Sequence, residues 1–404
     1  MLARFSSRSL TRFPRSALLC AGLVAALLAL AAGACAGFGV SVGLHSGPLT
    51  VDLGYFHDEL APYGDWIWNP PWGWVWQPWG VEPGWVPYSD GRWIYTELGW
   101  YWSSSWEWGW APFHYGRWRC DSRHGWVWIP GTVWAPAWVA WRHGPDWIGW
   151  APLPPEAGWD PHAGLRSPGL EPGPDAWSFV RPHELSDTRV RSRIQPRGRN
   201  VTLVDVTREA VAFEPRDGYA VERGLPPEIV ERATGRPVQR YQVEDVGPQP
   251  KTGRPTVPRD TVPVYRPKVE ATRPVEPPPA AGEPSAPTAG PSARQTQQLE
   301  SWAREEERRL EKVQVQERKQ PPAGISVEEL KRRQETERKA LRDEVEKRQR
   351  WTPPERPRPQ LKPAPPPTAK QPVAKQPTAK PPTARPTPPA AKPEDVKPPG
   401  GEGS

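Results

Sequence analysis

The chain contains 404 residues with a formal net charge of +7, 58 prolines, 25 tryptophans and three cysteines. The positive charge is separated from the aromatic residues, because residues 51–160 hold twelve acidic side chains against five arginines. A phosphate backbone would be repelled there, which excludes nucleic acid as a ligand of the aromatic segment. Three cysteines, two of them within the first 35 residues, also exclude a fold held by a framework of intramolecular disulfides.

The N-terminus has the pattern of a secretory signal peptide. Four arginines within the first fifteen residues precede an apolar run, residues 16–36, that ends in small side chains. We predict a signal peptide over residues 1–34 and export to the bacterial periplasm or outer envelope. Cys35 is a candidate for lipid attachment. The alternatives are cleavage without lipidation and an uncleaved helix that anchors the chain in the membrane.

Residues 51–155 are predicted to form an all-β domain of three tandem hairpins. Twenty-three of the tryptophans lie between Trp66 and Trp177, most of them in Trp-x-Trp pairs beside glycine. The unit returns about every 26 residues. Each half is a short aromatic and β-branched run bounded by turn residues, which is typical of a strand. Alternation along a strand places both tryptophans of a pair on one face of the sheet.

Residues 156–246 are predicted to form a small α+β extension. Residues 177–180 are expected to return to the tryptophan-rich domain, and residues 200–207 alternate like a strand. Residues 226–235 have proline at the start and glycine at the stop of a short helix, and residues 238–243 follow as a last strand.

The rest of the chain is Pro-rich and charged. We predict a disordered Pro-rich linker over residues 247–292. Residues 293–351 are predicted to form two charged helices, since they are dense in Glu, Arg and Lys and poor in Gly. One interpretation of their thin apolar stripe is self-association in a coiled-coil-like arrangement. Solvated helices without a partner are the alternative, because apolar heptads are not sustained.

The C-terminal tail, residues 352–404, is predicted to be disordered and rich in Pro and Lys. Proline returns about every five residues in its central part, which favours an extended polyproline conformation. The regularly placed cations predict attraction to an anionic envelope surface. The alternative is a soluble spacer.

Several ordered motifs in the aromatic segment resemble one family. They are Asp58 to Trp66, Trp108 to Trp118, and Gly125 to Gly131, followed by the Ala-Pro blocks at 134–139 and 149–154. They resemble a bacterial exported Trp/Gly-rich family with YxWGxW-like repeats, whose domain has no known function and some of whose relatives are FecR-like envelope regulators. The resemblance covers about residues 51–246 and implies a β fold and export. It implies no activity, and no FecR-type segment is apparent.

Catalysis has little support in the sequence. The motifs of serine hydrolases, zinc proteases and phosphate-binding loops are absent from it. His114, Cys120 and His124 match no zinc spacing. We therefore predict a protein that is not an enzyme and that needs no cofactor or metal. One alternative stays open, in which the fold brings Glu97 and Glu107 together as a glycoside hydrolase requires.

The tryptophan density allows two interpretations, a core made wholly of indoles or a ladder of indoles that faces outward. We nominate Trp74, Trp76, Trp126 and Trp128 as an outward aromatic platform, because they share the Gly-Trp-Val-Trp form. Flat indole faces suit the C–H faces of sugar rings, which predicts a polysaccharide or peptidoglycan ligand. The alternative function is an envelope scaffold with protein partners and no glycan ligand.

Overall fold

The structure is a computed structural model. It describes four stretches of the chain, residues 50–166, 172–247, 260–271 and 292–350. The predicted signal peptide, Cys35 and the tail from residue 352 onward lie outside the described residues. Within those four stretches, no helix has both the length and the apolar character that crossing a membrane requires.

The elements of the aromatic half begin with a short strand and one helix. In chain order they are β1 (Thr50–Asp52), α1 (Leu53–Leu60), β2 (Gly64–Asn69), β3 (Gly73–Pro78), β4 (Gly91–Thr96), β5 (Gly99–Ser104), β6 (Arg117–Asp121), β7 (Gly125–Ile129), β8 (Val139–His143), β9 (Ile148–Pro152), β10 (Trp159–Asp160) and β11 (Gly164–Leu165).

The second half alternates short strands with helices and ends in two long helices. In chain order they are β12 (Ser178–Val180), α2 (Asn200–Asp205), β13 (Arg208–Ala210), β14 (Phe213–Arg216), β15 (Tyr219–Glu222), α3 (Pro227–Thr234), β16 (Arg240–Asp245), β17 (Thr261–Val264), β18 (Lys268–Glu270), α4 (Ala293–Lys319) and α5 (Val327–Arg350).

Three four-stranded sheets carry the fold. Their strand orders are β2-β3-β7-β6, β17-β16-β4-β5 and β12-β9-β8-β13. Most neighbouring strands run antiparallel, and β16 is parallel to both β4 and β17. The described residues are thus rich in β-strands in small, mostly antiparallel sheets, with a few helices, and to that extent the predicted fold class is confirmed.

Directly opposed tryptophans recur in the antiparallel pairs of consecutive strands. Trp66 faces Trp76 across β2 and β3, and Trp93 faces Trp102 across β4 and β5. The β6–β7 and β8–β9 pairs repeat the arrangement with Trp118 opposite Trp128 and Trp141 opposite Trp150. Opposed side chains lie on one face of a sheet, so every such pair presents two adjoining indoles to whatever covers that face.

The predicted boundary after residue 155 does not separate two folding units. Strand β12 pairs with β9 and β13 pairs with β8, so the extension completes a sheet that the aromatic segment begins. The expected return of residues 177–180 is present as β12. One contiguous apolar core contains residues from Phe56 to Val269 and therefore crosses the boundary.

Two predicted elements differ from the structure. Residues 200–207 were expected to form a strand, but Asn200–Asp205 is helix α2. Asn200 and Leu203 are both buried, which a helix allows because positions three apart share a face, whereas a strand would place them on opposite faces. The Asn200 amide Nδ2 donates to the Trp177 carbonyl oxygen at 2.7 Å, so tertiary contacts override the β-branched pattern.

The linker predicted over residues 247–292 is not wholly disordered. Residues 261–264 form β17 beside β16, and residues 268–270 form β18 parallel to β1. Val262, Val264 and Val269 are buried. Alternate valines give this Pro-rich stretch an apolar face, and the distant strands with which it pairs are not visible as a local signal.

The long helices α4 and α5 pack against each other and against the segment that precedes α2. Leu310 and Leu341 are buried, and Gly198 lies so close to both side chains and to the Glu337 carbonyl that a Cβ would collide there. The interface is otherwise charged, with Arg199 2.5 Å from Glu317. The alternative of solvated helices is therefore wrong, while their self-association stays a prediction.

Candidate functional site

Three of the four nominated tryptophans are buried. Trp76 and Trp128 are fully buried and Trp126 is 7% exposed, whereas Trp74 is half-buried. The indole Nε1 of Trp76 donates to the Leu60 carbonyl oxygen at 3.1 Å. The expectation that these side chains face outward is therefore wrong for Trp76, Trp126 and Trp128.

The physical reason is that their face of the sheet is covered. Phe56 of α1 approaches Trp128 edge-on, with ring centroids 5.3 Å apart. Trp108 approaches Trp76 in the same way at 5.0 Å. Strand alternation shows which side chains share a face, but it does not show which face the rest of the chain will cover.

The half-buried tryptophans are concentrated in one region. Fifteen of the tryptophans in the described residues are buried. Nine are half-buried, and five of these belong to β2, β3 and their flanks: Trp66, Trp68, Trp72, Trp74 and Trp79. Among the described residues, the first strand pair and its flanks thus contain the largest group of half-buried indoles.

Three of those indoles surround the turn between β2 and β3. Trp68 lies opposite Trp74, and their rings meet edge to face with centroids 5.7 Å apart. The ring of Trp68 lies over Gly73, whose φ of +78° is a left-handed conformation that favours glycine. The turn closes with a hydrogen bond from the Trp72 amide to the Asn69 carbonyl oxygen at 2.8 Å.

Polar groups of β6 adjoin the same turn. The guanidinium carbon of Arg119 lies 5.7 Å from the centroid of the Trp72 ring. The Asn69 amide Nδ2 donates to Asp121 Oδ2 at 3.4 Å. The strand register places Asn69, Arg119 and Asp121 on the face opposite to Trp68 and Trp74, so the polar residues contact the indoles through Trp72 in the turn. We call the end of the sheet that contains Trp68, Trp72, Trp74, Asn69, Arg119 and Asp121 the tip patch.

The charges of the tip patch are fixed by their surroundings. The imidazole of His124 is the largest of the hydrogen-bonding influences that hold the pKa of Asp121 below its usual range, so this carboxylate is ionised at neutral pH. Arg119 is 2.5 Å from Glu156. The patch therefore has the Trp72 indole beside one amide, one carboxylate and one guanidinium, which are groups that accept from and donate to hydroxyls. Trp68 and Trp74 adjoin it on the other face of the same turn.

The carboxylates considered for catalysis have separate structural partners. Glu97 accepts from the backbone N–H of Val243 at 2.9 Å, and Glu107 accepts from the Tyr63 hydroxyl at 3.1 Å. Each therefore serves a local contact, and neither contact is part of the tip patch.

The residues considered as metal ligands are likewise engaged elsewhere. His114 is buried between the stacked rings of Tyr101 and Trp134, and burial lowers its pKa to about 4. Burial raises the pKa of Cys120 to about 11, so it is a thiol at neutral pH. Within the described ranges no three side chains of His, Cys, Asp or Glu converge as metal ligands would.

The sequence pattern missed Trp68 and Trp72. The nomination required the Gly-Trp-Val-Trp form, and neither residue is part of one. The usable signal was the pairing itself, because a short turn after Asn69 puts Trp68 opposite Trp74. No sequence feature distinguished the exposed Trp74 from the covered Trp126.

A family model described as a family of unknown function, DUF6600, matches residues 57–157. The matched span begins within α1 and ends after β9, so it contains the tip patch and the four pairs of strands with opposed tryptophans. It agrees with the resemblance to a domain without known function. No curated protein and no solved structure matches the chain.

Proposed function

We propose that the protein is an exported, non-enzymatic component of the bacterial cell envelope whose tip patch binds a saccharide. Export is supported by the signal-peptide pattern of residues 1–34. Saccharide binding is supported by one observation above the others, the concentration of half-buried indoles on β2 and β3 in a chain whose other tryptophans are mostly buried.

A contiguous group of large apolar side chains at the surface is typical of a binding site for a ligand or a partner. An indole face packs against the C–H groups of a pyranose ring and excludes water from them. Trp68 and Trp74 meet edge to face, so together they form an angled surface rather than a flat one. Such a surface fits a ring better than it fits an extended sheet face.

Polar recognition would come from the side chains next to Trp72 in the turn. Asn69, Arg119 and Asp121 have both donors and acceptors within the same turn region. Glu156 is paired with Arg119 and Asp121 is ionised, so both carboxylates oppose a polyanionic ligand. The patch therefore favours neutral hydroxyl-rich chains over phosphate or sulfate polymers.

The test is co-sedimentation of the full chain with purified peptidoglycan and with insoluble neutral glycans. We expect the wild type to sediment with at least one of them and the Trp68→Ala, Trp74→Ala double variant to stay in the supernatant. Trp159→Ala is the matched control, because Trp159 is also half-buried and lies outside the patch. Equal sedimentation of the double variant and the control would contradict the assignment.

A structural scaffold with protein partners is the second candidate function. It is favoured by the fifteen buried tryptophans, which make most of the aromatic content a core rather than a ligand surface. In that case no glycan would retain the protein. Cross-linking in intact cells would instead join the protein to envelope proteins. Substitutions on surfaces outside the tip patch would then lower the yield of cross-linked product.

The proposal includes the means of attachment to the envelope. Lipidation at Cys35 predicts that Cys35→Ser abolishes partitioning into detergent, and equal partitioning of both forms would exclude a lipid anchor. The Pro/Lys-rich tail, residues 352–404, would add salt-sensitive binding to anionic envelope surfaces. Self-association through α4 and α5 would appear as a concentration-dependent mass in solution.

A further inference from the structure

The two long helices are buried against the fold without joining its apolar core. We call residues 292–350, which contain α4 and α5, the strap, and we call the other described residues the body. The buried apolar residues of the strap are Leu299, Leu310, Leu330 and Leu341. None of them belongs to the contiguous apolar core of the described residues, whose members run from Phe56 to Val269. Release of the strap would therefore not divide that core.

Carboxylates of the strap occupy donors of the body. Glu317 Oε1 lies 2.5 Å from Arg199 Nη2, and Glu337 Oε1 lies 3.7 Å from Arg199 Nε. Glu337 Oε1 also accepts from the Thr202 hydroxyl at 2.7 Å. Arg199 is 3% exposed and Thr202 is 8% exposed. The strap thus covers a guanidinium and a hydroxyl, and it supplies the anionic groups that these donors bind.

The C-terminal end of the strap is bound to the body through cations. Lys347 is paired with Asp175, and their side chains are 40% and 31% exposed. An ion pair this exposed contributes at most about 1 kcal/mol. Arg348 donates to the Pro83 carbonyl oxygen, and its guanidinium carbon lies 5.1 Å from the centroid of the Trp302 ring. These contacts fix the position of the strap end but add little to the free energy of docking.

Two glycines of the body lie where the strap comes closest. A Cβ at Gly84 would collide with the Trp302 indole, and a Cβ at Gly198 would collide with the Glu337 carbonyl oxygen. Neither glycine has a positive φ, so close approach of the strap is what excludes a side chain at these positions. The strap therefore has one well-defined docked position.

The balance of these contacts favours an element that opens separately. Desolvation offsets most of the attraction within a buried ion pair, so pairs such as Arg199–Glu317 provide specificity with a small net free energy. Segments with few apolar contacts to the core open at a lower free energy than core strands do. The strap has this character, whereas β4 and β5 contain Trp93 and Trp102 of the core.

We infer that the strap opens as one unit while the body stays folded, and that opening uncovers Arg199 and Thr202. In the closed state the strap's own carboxylates occupy these two donors, so the strap is an autoinhibitory contact. An outside anion reaches Arg199 only in the open state. The inference is independent of the proposed saccharide function, because the strap and these donors are separate from the tip patch.

The test is native-state hydrogen exchange of the full chain, followed by mass spectrometry of its peptides. We expect peptides of α4 and α5 to share protection factors at least about tenfold lower than those of β4 and β5. Gly198→Ala and Gly84→Ala should each lower the protection of the strap about tenfold further, because the added Cβ overpacks its docked position. Both should leave β4 and β5 unchanged. Gly247→Ala is the matched control, since a Cβ there meets no atom within 4 Å.

A second measurement reports the uncovering itself. Modification by phenylglyoxal, mapped by mass spectrometry, should be faster at Arg199 in Gly198→Ala than in the wild type. It should be unchanged at Arg142, which is 7% exposed and donates to the carbonyl oxygens of Val204 and Thr207 within the body. If Gly198→Ala does not fold, Glu317→Gln removes the charge that pairs with Arg199 and should accelerate the same modification.

Three outcomes would overturn the inference. The first is equal protection of α4, α5, β4 and β5 in the wild type, which would make the strap and the body one cooperative unit. The second is a loss of protection in the folded glycine variants that extends equally to the strap and to β4 and β5. The third is an unchanged rate of modification at Arg199 in the variants that loosen the strap.

Discussion

The β4–β5 and β2–β3 pairs have aromatic residues in the same register but in different environments. Trp93 and Trp102 of β4–β5 are 1% and 0% exposed, and Trp100, which corresponds in register to Trp74, is 0% exposed, whereas Trp74 is half-buried. Trp93 also contacts Trp141, with ring centroids 4.6 Å apart. One sequence unit thus serves as core or as surface, according to what packs on it.

The difference arises from neighbouring elements rather than from the strands themselves. The β8–β9 pair contributes Trp141 and Trp150 to the cluster around Trp93, so four indoles from two pairs fill one space. Strands β2 and β5 are both at the edge of their sheets, so edge position does not cause the difference. At the end of β2–β3 the rings of Trp68 and Trp74 contact each other.

The largest expected effect is on the buried pair. Trp93→Ala should lower the free energy of unfolding by about 3–5 kcal/mol, because it leaves a cavity among closely packed rings. No hydrogen bond of the Trp93 indole is lost, since its Nε1 has no acceptor among the described residues. Chemical denaturation followed by circular dichroism measures the change. A loss below about 1 kcal/mol would show that this pair is not part of the core.

The stability of the β4–β5 region should also depend on pH, because Glu222 is buried against β5. Glu222 is buried and accepts from the Trp100 amide at 3.4 Å, and burial raises its pKa to about 7. A glutamate in the unfolded chain has a pKa of about 4.5. The stability that Glu222 contributes is therefore fully present below about pH 4.5 and is lost as the pH rises to about 7.

The predicted loss over that interval is roughly 3 kcal/mol, and Glu222→Gln should abolish it. Denaturation of both forms at a series of pH values measures the difference, which isolates Glu222 from His114. The His114 pKa of about 4 acts in the opposite direction, removing stability as the pH falls below about 6.5. Parallel curves for the two forms would refute the assignment.

Substitution in the exposed pair should change stability less and binding more. Trp74→Ala should cost about 1–2 kcal/mol of unfolding free energy, since only part of the side chain is buried. It should weaken saccharide binding about fivefold, as loss of one stacking indole predicts. If Trp74→Ala lowers the free energy of unfolding as much as Trp93→Ala does, both residues belong to the core.

The smallest expected effect is that of Arg119→Ala. Its side chain is 41% exposed and its guanidinium is paired with Glu156, so the unfolding free energy should change by less than about 0.5 kcal/mol. Binding of a neutral saccharide should fall about threefold through lost donors to hydroxyls. Arg123→Ala is the matched control, because Arg123 is an exposed arginine of the adjacent turn. An equal loss of affinity in both variants would indicate a general effect of positive charge rather than a contact made by the tip patch.

The comparison also shows which features of the structure the sequence alone predicts. Period-two spacing in segments such as Gly73 to Trp76 predicts strands, because the local pattern decides which side chains share a face. It could not show that Trp74 stays open while Trp126 is covered, since the covering residues come from distant elements, including the helix α4.

Long-range pairing accounts for the other differences. The stretch with Val262 and Val264 becomes strand β17 only because β16 lies beside it. The buried positions of α5 recur at spacings of four and three, but most are polar, so apolar heptads could not reveal them: Leu330, Gln334, Glu337, Leu341, Glu344 and Arg348. Glu337 is satisfied there by Thr202, at 2.7 Å between Oε1 and Oγ1.

The most direct test of the central claim is titration of one neutral glycan oligomer into three forms of the full chain. The forms are the wild type, the Trp68→Ala, Trp74→Ala double variant and Trp159→Ala, with binding measured by calorimetry and folding by circular dichroism. We predict that the double variant stays folded and loses at least about tenfold in affinity, while Trp159→Ala binds like the wild type. A folded double variant that binds as tightly as the wild type would contradict the account.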